Sequence, residues 1–199
     1  MSHQISFFAP VERILAASGD AEVRYVPDVL TADESASFFR YLRESVAWDE
    51  STMWMYDHEV SVPRLVAWYG ASDPLPPRID AMRARMCERF DAPFNGVGMN
   101  LYRDERDSVA WHSDRNEGLI ERPTVAILSL GETREMHVRP KAPPRKTVRI
   151  ELEPGSVLLM TGSAQDRFEH CIPKRAEHVG ERISVVFRTK LPARADAVS

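Results

Sequence analysis

Three side chains in this chain have the types and spacing of a metal site. Trp111-His112-Ser113-Asp114 sets an imidazole and a carboxylate two residues apart, and His170 adds a second imidazole further on. In a strand, residues i and i+2 project from one face, so His112 and Asp114 are expected to grip one ion together. Two neutral imidazoles and one carboxylate form a facial set that suits non-haem Fe(II) with coordination positions left open. Toward the chain end, Arg182-Ile-Ser-Val-Val-Phe-Arg188 places two guanidinium groups on an apolar run. Arginines buried there need an anionic partner, which a dicarboxylate co-substrate would supply. The chain therefore reads as an enzyme.

His-x-Asp/Glu alone carries little weight, because 6 His and 30 acids in 199 residues make about one such triplet expected by chance. Order and context add the weight. The Trp-His-Ser-Asp run follows a strand-like segment, His170 follows a stretch rich in β-formers, and the paired arginines sit on a final strand. Electrophilic oxygen chemistry needs no protein general base, and the sequence offers neither a Ser-His-Asp set nor a paired-carboxylate motif.

The elements that position these residues can be read in part. Glu22-Val-Arg-Tyr-Val-Pro27 reads as a first strand. Thr31-Ala-Asp-Glu34 is a capping box, opening a helix that turns Phe38, Phe39, Tyr41, Leu42 and Val46 to a core. A second helix is predicted after Pro76-Pro77, with Ile79, Met82, Met86 and Phe90 at helical spacing. From residue 96 onward short strands dominate: Gly96–Tyr102, the Trp111 region, a hairpin over 124–139, a second over 148–160, and Ile183–Lys190. Two helices followed by seven or eight strands predict a mainly β (α+β) fold, a jelly roll braced by two N-terminal helices. A single domain over 22–190 is expected, with an unassigned segment at 1–21 and a tail at 191–199.

At 43% hydrophobic and 28% charged residues, the composition is that of an ordinary globular protein. Two widely separated cysteines, Cys87 and Cys171, predict a reduced, cytoplasmic setting without a disulfide framework. Ile5–Val11 is apolar but has no preceding basic region, so no signal peptide and no membrane partner are expected. The net charge of −4 means that nucleic-acid binding would use a local basic patch. Arg139, Lys141, Arg145, Lys146 and Arg149 form such a run, predicted on a loop between the two hairpins, where it could contact phosphates.

Taken together, Pro63-Arg-Leu-Val-Ala-Trp-Tyr-Gly70, Asn100 to Asp114, Leu128-Ser-Leu-Gly131, Arg134, Gly155–Met160, Gln165, His170-Cys-Ile-Pro173 and Arg182 to Arg188 resemble the AlkB-type Fe(II)/2-oxoglutarate dioxygenases. The similarity is to the branch that includes the human nucleic-acid demethylases, and it runs over roughly residues 22 to 190. It implies a double-stranded β-helix that uses Fe(II), 2-oxoglutarate and O₂. By position, His112, Asp114 and His170 match the iron ligands. Arg182 matches the partner of the distal carboxylate of 2-oxoglutarate, and Arg188 the residue near its C1 carboxylate. Asn100 and Tyr102 match co-substrate hydrogen-bonding residues, and Ser184 stands where the family usually has Asn.

The implied reaction is oxidative demethylation of N-alkylated bases such as 1-methyladenine or 3-methylcytosine, with succinate, CO₂ and formaldehyde released. A duplex substrate would require base flipping. The implied partner is alkylated nucleic acid, DNA first, acted on by a monomer. The alternatives are the same chemistry on RNA or a small molecule, or a non-catalytic binder of modified nucleic acid. Substrate contacts are expected from Met55 and Tyr56, at the family's wedge position, and from Arg64, Trp68, Tyr69, Asn116 and Glu117. The family's aromatic-rich segment after Gly70 is replaced by the short Ala71–Pro77, and Asn116 stands where relatives carry an acidic residue.

Overall fold

A computed structural model describes residues 11–55, 58–114 and 119–191, without the side chains of 51–61. The elements, in chain order, are β1 (Arg13–Ser18), β2 (Ala21–Val26), α1 (Ala32–Ser45), β3 (Asp49–Met55), β4 (His58–Tyr69), α2 (Pro77–Phe90), β5 (Gly96–Tyr102) and β6 (Val109–His112). They continue with β7 (Val125–Gly131), β8 (Arg134–Pro140), β9 (Val148–Leu152), β10 (Val157–Thr161), the single turn α3 (Ala164–Arg167), β11 (Phe168–Ile172) and β12 (Arg182–Arg188). Eight strands form one antiparallel sheet in the order β1-β2-β10-β7-β12-β5-β4-β3, and four form a second in the order β6-β11-β8-β9. This is the jelly-roll architecture expected from the sequence. Among the described residues no helix is long and apolar enough to cross a membrane.

Each sheet face has its own core. One face of the large sheet packs under both helices, burying Phe38, Leu42, Ile79 and Met86 against Met99, Leu101, Leu128, Val185 and Phe187. The other face meets the small sheet, where Ile127, Leu158, Met160 and Val186 lie against Met136, Val138, Ile150 and Phe168. Strand periodicity enforces the split: Ile183, Val185 and Phe187 face the helices, which leaves Arg182, Ser184, Val186 and Arg188 facing the gap between sheets. The functional side chains thus point into a space that two apolar layers hold open.

The order of elements corrects the sequence reading. Glu22–Pro27 contributes the second strand, and β1, β3 and β4 were not foreseen. β3 and β4 stand between the two helices, where no strand was expected. Neither expected hairpin exists: β7 and β8 lie in different sheets, as do β9 and β10, so each short link crosses the sandwich. β7 is buried along nearly its whole length between β10 and β12, and its two edges are already taken, whereas β8 alternates buried and half-exposed residues on the smaller sheet. Gly131, in the left-handed region at φ 83°, makes the turn, and a Cβ there would lie 2.5 Å from the Glu181 carbonyl oxygen.

The capping box is present as read: Thr31 Oγ1 accepts from Glu34 N at 3.2 Å, and Glu34 Oε2 accepts from Thr31 N at 2.8 Å. Arg85 of α2 also donates to Glu34, at 2.7 Å. That hydrogen bond first, and the cap second, pull the exposed Glu34 carboxyl from its ordinary 4.5 down to about 2. A carboxyl lowered on folding contributes stability above its unfolded pKa and loses it as pH falls through the folded value. Glu34→Gln is expected to melt below the parent protein at pH 7, and the gap should close as pH falls from 4.5 toward 2. Thermal denaturation across that range checks it.

Candidate active site

The small sheet brings the two histidines together, because β11 pairs with β6 so that His170 lies directly opposite His112. Their ring centroids are 4.4 Å apart. Asp114 does not share the strand: β6 ends at His112, and Asp114 follows in irregular backbone. Contacts, not strand geometry, return its carboxylate to the histidines. Its N–H donates to Gln165 Oε1 at 2.6 Å, and its Oδ1 accepts a short hydrogen bond from Arg188 Nη2. One potential ligand atom from each of His112, Asp114 and His170 then falls within 4.8 Å of the others.

The chemistry of these atoms fits a cation. His112 Nδ1 lies 2.9 Å from the Ala110 carbonyl oxygen, which assigns the ring hydrogen to Nδ1 and leaves Nε2 as a free lone pair. Among the described residues, Asp114 Oδ2 is buried without a hydrogen-bond partner, 3.5 Å from His170 Nε2. Burial holds His170 down at about 4, against the upward pull of Asp114, so its imidazole is neutral at neutral pH. Burial pushes Asp114 the other way, but Arg188, His170 and His112 together outweigh it and keep the carboxyl below its ordinary value. One oxygen of Asp114 is thus committed to Arg188 and the other is left for an ion.

A cationic pole faces this group. Arg182 is fully buried; its Nη2 donates to Ser129 Oγ at 2.9 Å, while Nε and Nη1 have no hydrogen-bond partner among the described residues. Burial lowers it to about 10, still charged at neutral pH. A buried guanidinium with open donors is complementary to a carboxylate. The guanidinium carbons of Arg182 and Arg134 lie 5.3 and 5.8 Å from the Tyr102 ring centroid. Arg134 belongs to the scaffold: its Nη1 and Nη2 donate to the carbonyls of Asp104, Asp107 and Pro173, while its buried Nε has no hydrogen-bond partner among the described residues. Asn100 Nδ2 donates to Ser184 Oγ at 3.3 Å, and its Oδ1 accepts from Arg64 Nε at 2.8 Å.

One cavity of about 340 Å³ gathers His112, Asp114, His170, Asn100, Tyr102, Arg182, Ser184, Arg188, Arg64 and Trp68. Trp68 is 46% exposed at its rim. Its indole lies across Gly98, its cross-strand partner, where a Cβ would come within 2.8 Å of the ring. Lys190 Nζ stands 4.7 Å from the indole centroid. Tyr69 is not in this cavity; the strand alternation turns it to the helix-side core. The Met55 side chain, Tyr56, Asn116 and Glu117 lie outside the described residues.

Sequence reasoning missed Ser129, Gly98 and Lys190 as parts of this site. Ser129 was visible as the one polar residue in the run Val125–Leu130, where a buried hydroxyl has to find a partner. The basic run also divides. Arg139 of β8 is engaged, donating to Glu169 at 2.6 Å with its guanidinium 3.8 Å from the Trp111 ring centroid, and Lys141 points inward. Arg145, Lys146 and Arg149 stay exposed.

Residues 22–188 match the 2OG-Fe(II) oxygenase superfamily. The chain is 32% identical over 198 residues to the human alpha-ketoglutarate-dependent dioxygenase alkB homolog 3, covering 89% of this chain and 69% of that protein. It is 24% identical to the Arabidopsis thaliana DNA oxidative demethylase ALKBH2, covering 92% of this chain and 71% of the relative. Among solved structures, that of OsALKBH1 superposes with a TM-score of 0.57 at 16% identity, over 84% of this chain and 96% of the other, a likeness of fold alone.

Proposed function

Because this chain belongs to the 2OG-Fe(II) oxygenase superfamily, a class of oxidoreductases that use Fe(II), 2-oxoglutarate and O₂, we propose that it removes N-methyl groups from the bases of nucleic acid, DNA first. The observation that carries the reading is the pairing, within one cavity, of the His112–Asp114–His170 cluster with the unfilled buried cation Arg182. The names of the relatives, a dioxygenase and a DNA oxidative demethylase, support the substrate.

In this reading His112 Nε2, Asp114 Oδ2 and His170 Nε2 hold Fe(II). Arg182 takes the distal carboxylate of 2-oxoglutarate, Arg188 stands beside its C1 carboxylate, and Asn100, Tyr102 and Ser184 complete its cradle. When bound, iron and co-substrate would supply, with O₂ as oxidant, the oxidation of an N-methyl carbon, 2-oxoglutarate leaving as succinate and CO₂ and the methyl as formaldehyde. The protein's part is placement: Arg188 holds Asp114 ionised, and the buried His170 stays unprotonated. Trp68 offers its exposed indole to the target base, and Lys190 beside it offers charge to a phosphate. The connection after Gly70 carries no aromatic residue that could close over a base, which favours a small molecule as the second reading.

The test is formaldehyde release from 1-methyladenine and 3-methylcytosine in single-stranded DNA, duplex DNA, RNA and free nucleosides. Release from DNA is expected to lead. Succinate without formaldehyde from any of them would overturn demethylation while keeping the oxygenase. Trp68→Ala is expected to raise KM for the oligonucleotide by about tenfold, the worth of one stacked base, with kcat little changed.

A further inference from the structure

Asp114 is the member of the cluster that no strand holds. It follows the end of β6, and its neighbour Ser113 has no ladder partner either. What fixes this pair is a network at the same end of the small sheet, where β8 ends and β11 begins. Lys141, just past β8, donates from Nζ to Ser113 Oγ at 2.9 Å and to the Gln165 carbonyl at 2.7 Å. Gln165, buried in α3, accepts from Asp114 N at 2.6 Å and donates to Met160 Sδ at 3.3 Å. Lys141 N is itself tied to the Arg167 carbonyl at 2.9 Å. One ammonium therefore bridges the end of β8, the α3 turn that leads into His170's strand, and the segment that carries Asp114.

We propose that Lys141 is a positioning residue of the metal site, holding Ser113 and, through Gln165, Asp114 in the placement an ion requires. The proposal rests on the reading of His112, Asp114 and His170 as ligands. It also assigns Lys141 a task different from the phosphate contact that its place in a basic run suggests. Ligand-orienting partners outside the coordination sphere typically account for roughly 10–100-fold in metal affinity.

The sign of the effect separates positioning from simple charge. A cation near a metal site repels the incoming ion, so removing a lysine that acted only as charge would tighten binding. Removing one that positions a ligand loosens it. The experiment titrates Co(II), an iron surrogate with a visible ligand-field spectrum, into metal-free parent protein, Lys141→Met, Ser113→Ala and the double variant, with His112→Ala as control. Lys141→Met is expected to weaken Co(II) binding about tenfold and to alter the spectrum. Ser113→Ala should weaken it by less, and the double variant should be no weaker than Lys141→Met alone, because both act through one contact. Ser113→Ala removes only a hydroxyl, so it reports even if Lys141→Met fails to fold. Parent-like or tighter affinity with an unchanged spectrum in Lys141→Met and Ser113→Ala overturns the positioning role and leaves the ligand assignment standing. A parent protein that takes up no Co(II), or takes it up as well after His112→Ala, overturns both.

Discussion

Asp114→Ala is expected to remove turnover and to destabilise the metal-free protein at the same time. The loss of turnover follows from losing the carboxylate of the cluster, and activity should fall below about 0.1% of the parent, since every chemical step depends on the ion. The loss of stability follows from Arg188. Its guanidinium is buried, and its Nε and Nη1 already lack acceptors; Asp114 is the acceptor that Nη2 has. Deleting one partner of a buried ion pair strands the other, at roughly 3–5 kcal/mol. For a chain of this size that lowers Tm by roughly 10 °C. Calorimetry of metal-free protein checks the second half independently of any assay. An unchanged Tm would mean that Arg188 relaxes to solvent, and retained activity would remove Asp114 from the site.

Arg182→Met is expected to do the reverse to stability while crippling co-substrate binding. Arg182 is fully buried with two unfilled donors, so in the metal-free, ligand-free protein it is a charge without a counter-charge. Methionine keeps the apolar stem and removes an unpaired buried charge, which is expected to stabilise the fold. The same change deletes the partner of a desolvated carboxylate, and the half-saturating 2-oxoglutarate concentration should rise by about 100-fold or more. The signature is a higher Tm without 2-oxoglutarate and a lost Tm increase with it. A lower Tm without co-substrate would show that the single bond to Ser129 already satisfies the guanidinium.

These two residues also mark how far the sequence could be read. The residue types of the site, their order and the pairing of Arg182 with Arg188 on one strand face were legible, because strand alternation is a local rule. So was the first helix, whose capping box is four consecutive residues. Sheet membership was not, since a short turn between two β-rich runs is compatible with a hairpin or with a crossing between sheets, and distant strands decide which edge is free. The signal was present in the burial pattern: Val125–Leu130 is an unbroken apolar run apart from Ser129, while Arg134–Pro140 alternates. A change of period across a turn marks a change of sheet. Asp114 shows the same limit on a smaller scale. Its spacing from His112 pointed to one strand, but its place is set by Gln165 and Arg188, 51 and 74 residues away in sequence.

The proposed activity requires one ion among His112, Asp114 and His170 and one dicarboxylate reaching from it to Arg182. Anaerobic calorimetric titration of 2-oxoglutarate into the protein loaded with Fe(II) tests both together. One equivalent should bind, binding should vanish on chelation of the metal, and Arg182→Met should weaken it without changing the metal content. Equal binding with and without metal, or no binding by the metal-loaded parent, would contradict the account.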